Sequence, residues 1–160
     1  MEDRYLFKAK RVDNGEWVIG NLITNVFFRL GQSIPYILCS DKAEYDCFED
    51  FTEENGIFKV RPDTICQYTG LKDKNGKLIW ENDIISYQID NDDCPFPNRD
   101  TKKRFGKVFY KGFRTTFAIE MGNNRSCSIN DDLWKYVQNG NRVEVIGNII
   151  DSPELMGGTE

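Results

Sequence analysis

Residues 69–85 must reverse the chain twice with almost no length to spare. Asp73-Lys74-Asn75-Gly76 is a tight turn, in which Asn75 and Gly76 tolerate the positive φ that a reversal needs. Leu78, Ile79 and Trp80 then supply a short apolar strand. Glu81-Asn82-Asp83 turns the chain again, with Asn82 suited to a left-handed position, and a further strand is predicted over 84–89. Elements this short, joined by turns this tight, belong to an antiparallel β protein.

The same punctuation extends in both directions. Tyr5, Phe7 and Ala9 alternate with Leu6, Lys8 and Lys10, which predicts a half-buried strand. Asp13-Asn14-Gly15 is a hairpin turn leading to a partner strand over 17–23. Apolar runs over 26–30, 34–38, 57–60 and 64–68 read as further strands, with Pro35 confining its own run to an edge or a bulge. Strands are also expected over 106–110, 117–121 and 143–150. A short helix is predicted over 131–138, capped by Asn130 or Asp131, with Leu133, Trp134 and Val137 facing inward. Ser152-Pro153-Glu154 opens a last helical turn. The expected fold is mostly β. A small antiparallel sheet over 1–66 packs against a C-terminal SH3-like barrel over 67–160, with one or two short helices, as one compact unit.

Two segments break the pattern. The first is an acidic insertion over 39–56, within which 41–51 reads as a short helix or an ordered acidic loop. Residues 41–54 hold seven acids and one lysine, a balance of −6 in a chain of net charge −5, so the remainder stands near +1. The second, 90–104, has no periodicity and reads as a long mobile loop. It runs into a basic segment, 99–107, with five cations against the single acid Asp100.

Composition removes most catalytic chemistry. The chain has no histidine, so Ser-His-Asp and Cys-His catalysis and histidine metal sites are excluded. Adjacent carboxylates, Glu81 with Asp83 and Asp131 with Asp132, have no nucleophile or base brought to them by the sequence. Cys39, Cys47, Cys66, Cys94 and Cys127 include no C-x-x-C pair and read as reduced, mostly buried thiols rather than a zinc site. Asp90, Asp92 and Asp93 lack the glycine and distal glutamate of a calcium loop. No metal and no cofactor is expected. No apolar window is long enough to span a bilayer, and the acidic start Met1-Glu2-Asp3 is unlike a signal peptide.

Three segments carry a resemblance to a known family. The first is Phe7-Lys8-Ala9-Lys10-Arg11-Val12-Asp13-Asn14-Gly15-Glu16-Trp17-Val18-Ile19-Gly20. The second runs from Pro62-Asp63-Thr64 through Gln67-Tyr68-Thr69-Gly70-Leu71 to Asp83-Ile84-Ile85. The third is Val143-Glu144-Val145-Ile146-Gly147-Asn148-Ile149 followed by Ser152-Pro153-Glu154-Leu155. In this order they resemble the YopX-like family of phage and prophage proteins. Asn82 stands where the family usually has a glycine, a mild departure because asparagine also tolerates that backbone region. The resemblance implies a largely β fold and a phage or mobile-element origin. It implies no catalytic residues and no known activity. The missing apolar span and signal peptide and the reduced cysteines separately lead to the expectation of a soluble protein in the cytoplasm of the bacterial host.

The functional expectation is a non-enzymatic interaction module whose partner is a host or phage protein, or a second copy of itself. Its candidate contact residues are Tyr45, Phe48, Glu49, Asp50 and Phe51, where aromatics interleave with acids. The alternative is nucleic-acid binding by Arg99, Lys102, Lys103, Arg104 and Lys107, with Phe105, Phe109 and Tyr110 available for stacking. Gly70, Leu71, Asn75, Gly76, Trp80, Asp83 and Gly147 read as structural: glycines for the backbone, Leu71 and Trp80 for the core, Asp83 for a turn. The alternative for this signature is a binding surface, with Lys72, Asp73, Lys74 and Lys77 at a polar tip.

Overall fold

The structure is a computed structural model, and it describes residues 5–24, 34–39, 56–88, 103–112, 115–121, 132–138 and 142–157. Its strands are β1 (Leu6–Lys10), β2 (Trp17–Ile23), β3 (Tyr36–Leu38), β4 (Ile57–Lys59), β5 (Cys66–Lys72), β6 (Leu78–Trp80), β7 (Asp83–Gln88), β8 (Lys103–Lys111), β9 (Thr116–Met121) and β10 (Val143–Asn148). Two short helices, α1 (Leu133–Gln138) and α2 (Glu154–Gly157), and a 3-10 turn at Pro62–Thr64 complete the described elements. The strands form two antiparallel sheets, ordered β4-β3-β2-β1-β5-β6 and β10-β7-β8-β9. The chain divides into two units, Met1–Tyr68 and Thr69–Glu160.

The first unit is organised by the β1–β2 hairpin, which pairs Lys10 with Trp17 and Leu6 with Asn21. Gly15 takes φ 74° in its turn, and Asn14 Oδ1 accepts a hydrogen bond from the Glu16 N–H. One face buries Ala9, Ile37 and Val60, with Phe7, Val18 and Leu22 packed on them. On the other face Lys8 and Lys10 lie over the Trp17 ring, at 5.1 and 5.6 Å from its centroid. Thr64 closes this unit: its hydroxyl accepts from the Lys10 N–H and donates to the Arg61 carbonyl. Tyr5, expected to share the buried face, is exposed just before the strand begins. The constraint expected of Pro35 is also relieved. β3 lies between β2 and β4, and Pro35 precedes it, so the missing N–H is not asked to join a ladder.

The second unit is built on β7, which pairs with β10 on one side and β8 on the other. Five of its six residues are buried, as a central strand covered on both faces requires. One face carries the main core of Ile79, Ile85, Tyr87, Val108, Ile119, Val143 and Val145, which Leu133 and Tyr136 of α1 join. Tyr87 and Tyr136 meet edge to face, with centroids 5.0 Å apart. A register shift between Val145 and Gly147 bends β10.

Several expectations change here. Among the described residues the second sheet is open: its four strands pair in a linear order with no closure into a barrel. β8 begins at Lys103, so Lys103 and Arg104 belong to a strand and not to the loop expected over 90–104. α1 starts at Leu133 and turns Leu133 and Tyr136 inward, while Trp134 is 60% exposed. In the β5–β6 turn only Gly76 has positive φ, at 81°; Asn75 does not share it. The helix or loop expected over 41–51 and the strand over 26–30 lie outside the described residues.

Candidate functional site

The signature between β5 and β7 is held by two buried carboxylates. Asp73 Oδ1 accepts hydrogen bonds from the backbone N–H groups of Asn75 and Lys77, at 2.8 and 2.9 Å. Its Oδ2 accepts from the N–H of Val145 in β10, at 3.0 Å. The Lys74 N–H donates to the Val143 carbonyl, so the turn is fastened to β10 at two points. Burial would raise the Asp73 carboxyl, but the N–H bonds from Val145, Lys77 and Asn75 outweigh it and hold the group below its ordinary range. Asp73, expected at a polar tip, is therefore a buried latch.

Asp83 does the same work one turn later. Its Oδ2 accepts from the Trp80 N–H and its Oδ1 from the Asn148 side-chain amide, both at 2.9 Å. Asn148 passes the connection on by accepting from the Ile150 N–H. Asn82 adopts φ 66° between Trp80 and Asp83, as its sequence position implies. Gly70 takes φ 81°, Trp80 is buried, and Leu71 packs on the main core. A Cβ on Gly147 would lie 2.6 Å from Leu155 of α2, so this glycine lets α2 approach. Gly70, Leu71, Gly76, Trp80, Asp83 and Gly147 thus each have a structural task, Asn75 contributes only its backbone N–H, and both Asp83 oxygens are occupied by the chain itself.

The candidate binding residues fare unequally. Tyr45, Phe48, Glu49, Asp50 and Phe51 lie outside the described residues, as do Arg99 and Lys102. Lys103, Arg104 and Lys107 lie on β8. Val108 faces the main core, so strand alternation turns Lys103, Phe105, Lys107, Phe109 and Lys111 to the opposite face. Lysine and phenylalanine alternate along it. Phe105 is 39% exposed. Lys107 pairs with Glu120 of β9 at 3.0 Å. Lys74 pairs with Glu144 at 2.6 Å, and it holds the Glu144 carboxyl below its ordinary value with a smaller contribution from Lys103.

A site that the sequence reading missed lies beside α1. Thr69, Leu71, Thr115, Thr116, Phe117 and Trp134 line a cavity of about 310 Å³. Leu71, Phe117 and Trp134 give it apolar lining, and Thr69, Thr115 and Thr116 polar lining. Tyr110 meets Phe117 edge to face at 5.5 Å and is itself 44% exposed, which extends the aromatic surface. Thr115 has φ 50°, an uncommon conformation for a β-branched residue. Strain of this kind persists where surrounding structure imposes it. The one signal in the sequence was Trp134 itself, which helical spacing misassigned to the core.

Among the described residues no group of three or more Cys, Asp or Glu side chains is placed to hold a metal ion. No helix among them is long and apolar enough to cross a membrane. Cys66 is buried and directs its thiol to the Thr64 carbonyl at 3.4 Å.

No curated protein matches the sequence. Among solved structures the chain is similar to protein EF1440 from Enterococcus faecalis, at 23% identity and a TM-score of 0.45, over 94% of this chain and 96% of that one. The family model described as YopX protein matches residues 7–157, which takes in all three resembling segments, the Asp73 and Asp83 turns and the cavity residues. The chain belongs to the YopX family.

Proposed function

We propose that this protein is a non-enzymatic accessory protein of a phage or other mobile element that binds a protein partner in the bacterial cytoplasm. One observation carries the reading: Trp134 stands 60% exposed on α1 and walls a cavity with Leu71 and Phe117. An exposed tryptophan beside an apolar recess is the arrangement that dominates interface energies once a partner covers it. A recess of this size accepts one or two side chains of a partner. The open second sheet would then be an SH3-like scaffold presenting that recess. The acidic segment with Tyr45, Phe48, Glu49, Asp50 and Phe51 is a second contact in this proposal, and another copy of the chain is among the partners it fits.

The lack of histidine and the engagement of Asp73 and Asp83 in turns support binding over catalysis. The test is capture from a nuclease-treated host lysate on immobilised wild-type and Trp134→Ala protein. A retained protein that disappears with the variant is the expected result. Identical capture by both would remove the cavity from the reading. Substrate turnover lost on replacing an acidic residue would remove the non-enzymatic role. A second reading, nucleic-acid binding, is favoured by the lysine–phenylalanine alternation on β8.

A further inference from the structure

We propose that the Trp134 recess binds a proline-rich segment of a partner protein, held in the polyproline II conformation. This inference rests on the protein-partner reading just given and names what the partner presents. The six residues lining the recess are all uncharged. A phosphate, carboxylate or ammonium group would therefore leave water there without a counter-charge. The apolar part of the lining is Leu71 and the rings of Phe117 and Trp134. Tyr110, edge to face with Phe117 and 44% exposed, sets a third ring beside them. Grooves lined by aromatic rings are where polyproline II segments dock, and the rigid segment loses little conformational freedom on binding.

The hydrogen-bonding groups of the recess select this occupant. Thr69 is spent on the chain itself: its hydroxyl donates to the Ile79 carbonyl at 2.7 Å and accepts from the Leu71 N–H at 3.2 Å. Among the described residues no group of the chain accepts from the hydroxyls of Thr115 and Thr116 or from the indole N–H of Trp134. Three donors thus border the apolar lining, and the indole can only donate. A polyproline II segment has no internal hydrogen bonds, so its carbonyls stand open as acceptors. Its prolines have no N–H, so no donor of theirs is stranded when they enter. An ordinary peptide brings an N–H with every carbonyl, and a sugar brings a donor with every hydroxyl. Thr115 holds φ 50° beside these donors, a conformation glycine adopts more readily.

The test is NMR titration of the isotope-labelled full chain with decaproline, read at the indole N–H signals of its three tryptophans. A saturable shift of the Trp134 signal is expected, with the buried Trp80 unmoved. Trp134→Ala should weaken binding by roughly tenfold or more, followed at the signals of 115–117. Trp134→Phe keeps a ring and removes the donor, and should cost roughly threefold to tenfold. Thr115→Gly removes a hydroxyl and relieves the backbone, so it should weaken binding without lowering the melting temperature, a combination that damage to the fold cannot mimic. Decaproline binding that none of these variants weakens overturns the site. Tighter binding of a proline-free, leucine-containing peptide of the same length overturns the proline assignment and leaves the protein-partner reading standing. No Trp134 shift with either peptide overturns the proline assignment as well. If Trp134→Ala then captures the same lysate proteins as wild type, the protein-partner reading falls with it.

Discussion

The Asp73 carboxylate accepts a hydrogen bond from the Val145 N–H, 72 residues further along the chain, at 3.0 Å. The same carboxylate closes its own turn through Asn75 and Lys77. A local turn and a distant strand pairing are therefore set by one side chain, and the bend of β10 begins at the residue it holds. The acid at this position is explained by backbone donors and needs no substrate.

Replacing Asp73 by alanine leaves a buried N–H on Val145 without its acceptor and unties the turn. The expected loss is about 2–4 kcal/mol, from hydrogen bonds to a charged group and the stranded donor. Asp73→Asn keeps one carbonyl oxygen and should cost less. Urea unfolding midpoints of the three proteins check the order, and equal midpoints would refute it.

The latch also has a pH signature. The folded Asp73 carboxyl lies below its ordinary value of 3.8, so its charged form stabilises the fold. That contribution is fully present above the unfolded-state value and is lost as pH falls through the lower folded-state value. The stability gap between wild type and Asp73→Asn should stay level from neutral pH to about pH 5 and narrow below about pH 4. A gap that widens in acid would contradict the direction.

Gly20 tests the close approach of β2 to the end of β3. A Cβ there would lie 2.0 Å from the Leu38 carbonyl oxygen, a contact only backbone movement can relieve. Gly20→Ala should cost about 3 kcal/mol or more. At Gly112 an added Cβ meets nothing within 4 Å, so Gly112→Ala serves as the tolerated control. Thermal unfolding of both variants decides the point.

Adjacent residues of α1 should behave oppositely. Leu133 is fully buried and Trp134 is 60% exposed. Leu133→Ala should destabilise by about 2–5 kcal/mol, and Trp134→Ala by less than about 1 kcal/mol. Calorimetry on the pair measures the contrast. A Trp134 variant as damaged as Leu133→Ala would make the tryptophan a core residue after all.

Much of the fold was legible because it is written in local backbone chemistry. Asp13-Asn14-Gly15 fixed the first hairpin, and Asn82 announced its left-handed conformation. Apolar triplets such as Leu78, Ile79 and Trp80 matched a strand to the residue. Long-range relations were not legible. Nothing near Asp73 says that its second oxygen belongs to Val145. Helix phase was legible only in part: Leu133 and Val137 do pack on the core, but Tyr136 takes the inward place expected of Trp134, and in six residues only the sheet beneath decides between the two. The Trp134 cavity was hidden for the same reason. Lys103 and Arg104 were read as loop because polar residues at a strand's end carry no periodicity of their own.

Hydrogen–deuterium exchange of the protein with and without its captured partner tests a binding role at the Trp134 cavity most directly. Protection is predicted at 115–117 and 133–138, which carry the cavity wall, with the 73–77 turn unchanged. Protection confined to the 73–77 turn would contradict it, and would return the family signature to the role of a binding surface.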